Sequence, residues 1–285
     1  MRKILLLGGI LSLAACSSSG PKVEPEKSAP APAAWEREGM DAPQEATFSS
    51  PPDTAAKPAT PAAQDPLADL QAALKDQNDE RMKLTAEAVL KRHQDHPVAL
   101  NTLAMLHYRR ARFDLAGYML GKALQKDPQS PALHSNMGLV LLAQGKKTMA
   151  LQSFRKALDL NPRDGQAAGN AGALYVMSKD YTKALIVLEV AYKQGVRDSK
   201  TLNNYAVALT AKGRGAEAKD LYKQAIKENA GSREMLLNYA ILLIDHLGAN
   251  DEGLETLNHL KFLGPPPESR ERVSLLENKA KAGLK

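Results

Sequence analysis

Residues 131–164 read PALHSNMGLVLLAQGKKTMALQSFRKALDLNPRD. Leu133, Met137, Leu141 and Leu142 recur at helical spacing and make a first apolar stripe. Gly145 ends that helix, because glycine accepts the left-handed conformation needed just past a helix end. A second stripe follows at Ala150, Phe154, Ala157 and Leu158, and Pro162 closes the stretch. The segment is therefore two short helices joined by a turn. Helix axes that pack about 8–10 Å apart need small side chains where they cross. Ala150 and Ala157 supply them from the second helix, and Gly138 meets them from the first.

The same design recurs on both sides. Ala116, Ala150, Ala184 and Ala218 are spaced by 34 residues, and so are Ala123, Ala157, Ala191 and Ala225. Two small-residue series in one register mean a copied unit, and a unit of this length is a helix-turn-helix that stacks on its own copies. The pattern resembles the tetratricopeptide repeat family. That family carries a large residue, then Gly or Ala, in the first helix, and Ala, a large apolar residue and Ala in the second, before a closing Pro. Met137, Gly138, Ala150, Phe154, Ala157 and Pro162 match in this unit. Leu103, Ala104, Ala116, Leu120, Ala123 and Pro128 match in the unit that begins at Pro97. The unit from Gly165 keeps Gly172, Tyr175, Ala184 and Ala191, with Val196 at the Pro position. The unit from Ser199 keeps Tyr205, Ala206, Ala218, Tyr222 and Ala225, with Ala230 there. A fifth unit starts at Arg233 with Tyr239 and Ala240. One extra residue near Gly248 then displaces Leu257, Leu260 and Pro265 by one place.

The expected fold is all-α: a solenoid of about five repeats over residues 97–265, preceded by a degenerate helical pair at 66–96 and closed by an amphipathic capping helix in 266–285. Terminal units of a solenoid are atypical because one of their faces meets water.

Ahead of the repeats lie two segments of other kinds. Met1-Arg2-Lys3 and the apolar run Ile4 to Ala15 have the form of a secretory signal, too short to span a bilayer, which takes about 20 residues. Leu13-Ala14-Ala15-Cys16 resembles the lipobox of bacterial lipoproteins. The resemblance implies signal removal after residue 15, a diacylglyceryl group on the Cys16 thiol and an N-acyl chain on its amine. Cys16 is the one cysteine of the chain, so no internal disulfide competes for it, and two or more acyl chains anchor stably. By the sorting rule of enteric bacteria, Ser17 in place of Asp directs such a lipoprotein to the outer membrane, facing the periplasm. No cofactor beyond these lipids is expected.

Residues 16–65 form the second segment. Ser17 to Asp65 holds 9 of the 17 prolines and 11 alanines, with almost no large apolar residues. This composition is that of a disordered, partly polyproline tether, spanning roughly 40 Å on average. Trp35, the one tryptophan of the chain, reads as either a solvated residue or a short docking motif. The tether carries 4 Lys+Arg against 8 Asp+Glu, whereas residues 66–285 carry 32 against 24. A basic solenoid favours anionic partners or is simply well solvated. Nucleic acid is not among the expected partners, since the aromatic residues follow core positions.

In the resembled fold the first helix of each unit lines a concave groove. One groove position reads Thr102, Asn136, Asn170, Asn204, Asn238, a ladder of four asparagines. An amide has donors and an acceptor, so such a ladder can pair with the backbone of an extended peptide; it can equally be structural. Three residues further on, the series is Met105, Leu139, Ala173, Val207, Ile241, an apolar floor that either holds alternate side chains of a peptide or is covered by a neighbouring helix. Of the basic residues on this face, Lys200 and Arg109 lie three units apart, which argues against the family's carboxylate-clamp subtype. The expected site is thus Asn136, Asn170, Asn204 and Asn238 with Met105, Leu139, Val207, Ile241 and Lys200.

The sequence contains no catalytic constellation: His93 and His96 are the only close histidines, there is no His-Glu-x-x-His, and Gly145-Lys-Lys-Thr148 lacks the first glycine of a phosphate loop. The reading is a non-enzymatic, membrane-anchored scaffold that binds envelope proteins. The resemblance extends loosely to the pilotins of type IV pilus secretins and to motility-complex lipoproteins. The alternative is an adaptor for cell-wall hydrolases or envelope proteases, with peptidoglycan-associated partners.

Overall fold

The computed structural model describes residues 65–228 and 231–284; Cys16, Trp35 and the tether lie outside them. The described residues form thirteen α-helices: α1 (Pro66–Asp76), α2 (Asp79–Arg92), α3 (Pro97–Arg109), α4 (Phe113–Lys126), α5 (Pro131–Ala143), α6 (Lys147–Leu160), α7 (Gly165–Met177), α8 (Tyr181–Lys193), α9 (Ser199–Ala211), α10 (Gly215–Glu228), α11 (Arg233–Ile241), α12 (Asn250–Leu263) and α13 (Arg270–Ala282). Each helix packs on the next, so the array is a stack of antiparallel pairs. It is all-α, as the 34-residue period predicts.

Local chemistry fixes the helix ends. Pro97 and Pro131 open α3 and α5, where a missing N–H costs nothing. Asp164 accepts from the Ala167 amide at 2.9 Å and Asp198 from Thr201 at 3.0 Å, capping α7 and α9. The turn inside each unit needs one left-handed residue. Gly145 (φ 77°) and Gly213 (φ 75°) supply it in two units, and Ala111 (φ 56°) and Lys179 (φ 63°) adopt it in the other two. Gly145-Lys-Lys-Thr148 is such a turn.

Packing explains the small residues. Seven of the eight periodic alanines are fully inaccessible, and Ala225 is 2 % exposed. A Cβ on Gly138 would lie 2.6 Å from the Phe154 ring, and one on Gly172 would lie 2.4 Å from Leu188 Cγ. Large residues of the second helix therefore occupy the space that glycine leaves in the first. Val196, at the expected Pro position, packs against Ala168 and Ala191 instead.

The extra residue of the fifth unit becomes a π-helical turn, Leu242–Leu247, continuous with α11 and ended by Gly248 (φ 64°). A wider turn accommodates one additional residue without breaking the helix. It drives Ile244 inward, and a Cβ on Gly253 would sit 2.4 Å from Ile244 Cγ1. That is why glycine replaces the periodic alanine here. Register then recovers, since Leu257 and Leu260 are fully buried. α13 covers this end through Val273, Leu276 and Ala280, which join Leu236, Leu237, Ile241 and Ile244 in one cluster.

Candidate functional site in the layer of first helices

Successive first helices touch one another: α3 with α5, α7 with α9, and α9 with α11. Successive second helices make no comparable contact. The first helices are thus the inner layer, as the resemblance implies. α7 carries Gly165, Ala167, Ala168, Gly169, Ala171, Gly172 and Ala173, and these small residues bring it closest to α9.

A cavity of about 370 Å³ opens on this layer between α5, α7 and the start of α9. Ser135, Asn136 and Leu139 line it from α5, Gln166, Gly169 and Asn170 from α7, and Asp198, Lys200 and Thr201 from the α9 end. Four of the residues predicted from sequence are therefore brought together: Asn136, Leu139, Asn170 and Lys200. Met105 is half-buried on α3, outside the lining. Val207 (3 % exposed) and Ile241 (4 %) are core members, each in a different apolar cluster. Asn204 is buried and Asn238 half-buried, both away from the cavity. α9 is contacted by α7, α8, α10 and α11 together, which encloses its floor residue.

The asparagines are not equivalent. Asn136 Nδ2 donates to Asn101 Oδ1 of the preceding unit at 2.8 Å, and Asn238 Nδ2 donates to Asn203 Oδ1 at 3.1 Å. These two amides tie α3 to α5 and α9 to α11. Asn170 Nδ2 instead donates to the Gln166 carbonyl of its own helix at 3.0 Å. The residue that would pair with Asn204 is Gly169, which has no side chain. A Cβ there would stand 3.0 Å from Thr201 Oγ1, so glycine suits the close approach of α9 and at the same time deepens the cavity. The polar bridges thus flank the cavity and leave its centre unbridged.

Chemically the cavity offers the Asn136 and Asn170 amides, the Ser135 and Thr201 hydroxyls, the Lys200 ammonium and the Asp198 carboxylate, beside the apolar Leu139. Lys200 is exposed and has no ion-pair partner among the described residues. This set suits hydrogen bonding to a polypeptide backbone with one apolar side chain seated alongside. Among the described residues no three His, Cys, Asp or Glu side chains are grouped to hold a metal, and no helix is long and apolar enough to cross a membrane.

Sequence reasoning missed Gly169, Ser135 and Asn101. The signal was present one place before the asparagine ladder, where the units read Asn101, Ser135, Gly169, Asn203, Leu237. Read together, the two series show which rungs can bridge and which cannot.

Two stretches of the chain, residues 131–164 and 200–227, match tetratricopeptide repeat family profiles. The fold is a tetratricopeptide solenoid. No curated protein matches the chain significantly. Among solved structures, PilF of Pseudomonas aeruginosa superposes with a TM-score of 0.60 at 20 % identity, over 76 % of this chain and 96 % of that one. YrrB, described as a tetratricopeptide protein with an unusual peptide-binding site, gives 0.58 at 18 % identity, over 69 % and 97 %. MamA of Desulfovibrio magneticus RS-1 gives 0.50 at 18 %, over 59 % and 92 %. At these identities the likeness is one of fold. Tetratricopeptide solenoids are scaffolds that present an extended inner surface to protein partners.

Proposed function

We propose that this chain is a membrane-anchored scaffold that holds an extended segment of a partner protein against α5, α7 and α9. The observation that carries the reading is the cavity itself. Four residues expected at a peptide site line it, and glycine at position 169 keeps its centre open. The Asn136 and Asn170 amides pair with the partner's backbone, Leu139 receives an apolar side chain, and Lys200 with Asp198 sets direction at the α9 end. The N-terminal sequence supports anchoring by acylated Cys16 to the outer membrane, with the solenoid facing the periplasm on its tether. The likeness to PilF favours a role in assembling an envelope machine such as a type IV pilus secretin or a motility complex.

The test is affinity purification from crosslinked envelopes followed by mass spectrometry. The wild type is compared with Asn170→Ala/Lys200→Ala, which removes two polar groups from the cavity lining, and with Asn101→Ala/Asn203→Ala, which cuts only the bridges. A partner retained by the wild type and the bridge variant, and lost from the cavity variant with its circular dichroism unchanged, supports the reading. Identical partners in all three would overturn it. Capture of cell-wall hydrolases or envelope proteases in place of secretin components would select the adaptor role.

A further inference from the structure

The two edges of the solenoid differ in charge. Turns between units carry Asp127, Asp164 and Asp198 with Arg163 and Arg197, whereas turns within units carry Arg112, Lys146, Lys179, Lys212 and Arg214 with Asp180, and Lys147 opens α6 beside Lys146. Arg109 and Arg110, on the same edge, are neutralised by Asp79 at 2.8 Å and Glu80 at 3.4 Å. Arg112, Lys146, Lys147 and Lys179 have no ion-pair partner among the described residues. Arg112 and Lys146, from neighbouring units, share an open hollow of about 640 Å³ with Phe113, Asp114, Leu115 and Gln144. The one carboxylate there, Asp114, accepts a hydrogen bond from Gln144 Nε2 at 2.8 Å. Burial, and then the nearby Arg112, Arg110 and Lys83, hold His107 below its ordinary pKa.

Beside these cations stand apolar side chains that the core does not use. Leu115 is 39 % exposed and Met149 53 %, at equivalent places one turn into α4 and α6. Single exposed apolar residues are ordinary on a protein surface, but these two repeat at one unit position beside cations that have no ion-pair partner among the described residues. A bilayer interface uses both, with phosphates taking the cations and the acyl boundary taking the apolar side chains.

We propose that the edge formed by the α3–α4 and α5–α6 turns docks on the anionic headgroups of a phospholipid bilayer. The surface is separate from the cavity and needs no acyl anchor. Docking there would lay the solenoid along the membrane and fix which way the inner layer faces.

The experiment is cosedimentation of the full chain carrying Cys16→Ser with vesicles of phosphatidylcholine alone or mixed with phosphatidylglycerol. Neutral vesicles report whatever the apolar N-terminal run contributes. The expected result is a preference for phosphatidylglycerol that weakens as salt shortens the screening length. At roughly fivefold per basic residue, Arg112→Ala/Lys146→Ala/Lys147→Ala should lower that preference on the order of a hundredfold. Arg155→Ala/Lys156→Ala/Lys227→Ala, removing equal charge elsewhere, should keep most of it. Leu115→Ser/Met149→Ser should weaken binding to the same vesicles. Equal loss in both triple variants, or no preference in the parent, would overturn the proposal. So would retention on an immobilised anionic polysaccharide with no binding to vesicles.

Discussion

Ala111 and Lys179 occupy left-handed turns that two sister units fill with glycine. A side chain in that conformation costs about 1–2 kcal/mol, against about 0.5–1 kcal/mol of extra chain entropy that glycine loses on folding. Ala111→Gly should therefore stabilise the protein by about 0.5–1 kcal/mol, read as a higher urea midpoint at unchanged slope; a lower midpoint would count against the turn assignment. The reverse holds at Gly172, whose missing Cβ would sit 2.4 Å from the branch carbon of Leu188. Gly172→Ala should cost about 1–3 kcal/mol through overpacking, and Gly172→Ala/Leu188→Val should recover part of it. Both glycine and alanine fit the family pattern there, so the sequence alone does not say which is tolerated. The answer depends on the partner at the next helix, Leu188 here and Tyr222 opposite Ala206 one unit on.

Among the elements, the π-helical turn shows how an irregularity is absorbed. The one-residue displacement of Leu257, Leu260 and Pro265 is visible in the sequence, but its place is not: any residue between Ala240 and Gly253 could have been looped out. The structure spreads it over Leu242–Leu247 because the turn then aims Asp245 at α13. The Asp245 carboxylate accepts from Arg272 at 2.5 Å and Lys279 at 2.6 Å. A second cluster braces the unit from the other side. Glu252 accepts from the Tyr239 hydroxyl and pairs with Lys219 at 2.6 Å and Lys223 at 3.2 Å. Burial alone would raise the Glu252 pKa, but the bonds from Lys219, Tyr239 and Lys223 outweigh it and hold the group down to about 2, from an ordinary 4.5. Its stabilising contribution is therefore whole above about pH 4.5 and fades as pH falls toward 2. Glu252→Gln should be less stable than wild type at neutral pH and should close the gap between pH 4.5 and 2, measured by denaturant unfolding at several pH values. A gap that stays constant over that window would sink the assignment.

For the whole molecule, periodicity made the architecture legible. Eight alanines gave the unit length, the caps and prolines gave the ends, and the inner layer followed from the repeat. The site was only half legible, because a residue's place in one unit does not reveal what the next unit puts opposite it. Asn136 and Asn238 look like Asn170 in the sequence, yet the first two meet an amide and the third does not. Val207 looks like Leu139, but α9 is hemmed in by four helices. Stability in a stack of this kind is a sum over neighbours, so local opening should vary along the array. Native-state hydrogen exchange should find the slowest amides in α7 and α9, whose small residues pack closest, and the fastest in α1, the terminal helix, which packs mainly on α2. Uniform protection from α1 to α13 would contradict that additive picture.

The asparagine bridges join residues 35 apart, one more than the repeat of 34. Each therefore runs obliquely from one helix to the next, as a diagonal member runs across a bay of a truss. Diagonals resist shear, the sliding of one upright past another. The bays between α3 and α5 and between α9 and α11 are braced in this way, and the two that meet at α7 are not. Close packing holds α7 to α9 in place of a bridge, so shear compliance is concentrated between α5 and α7, where the cavity lies, and a segment bonded at once to Asn136, Asn170 and Lys200 would act as the missing diagonal. Occupancy would then be felt at both ends of the array as stiffness, with no helix required to change its shape.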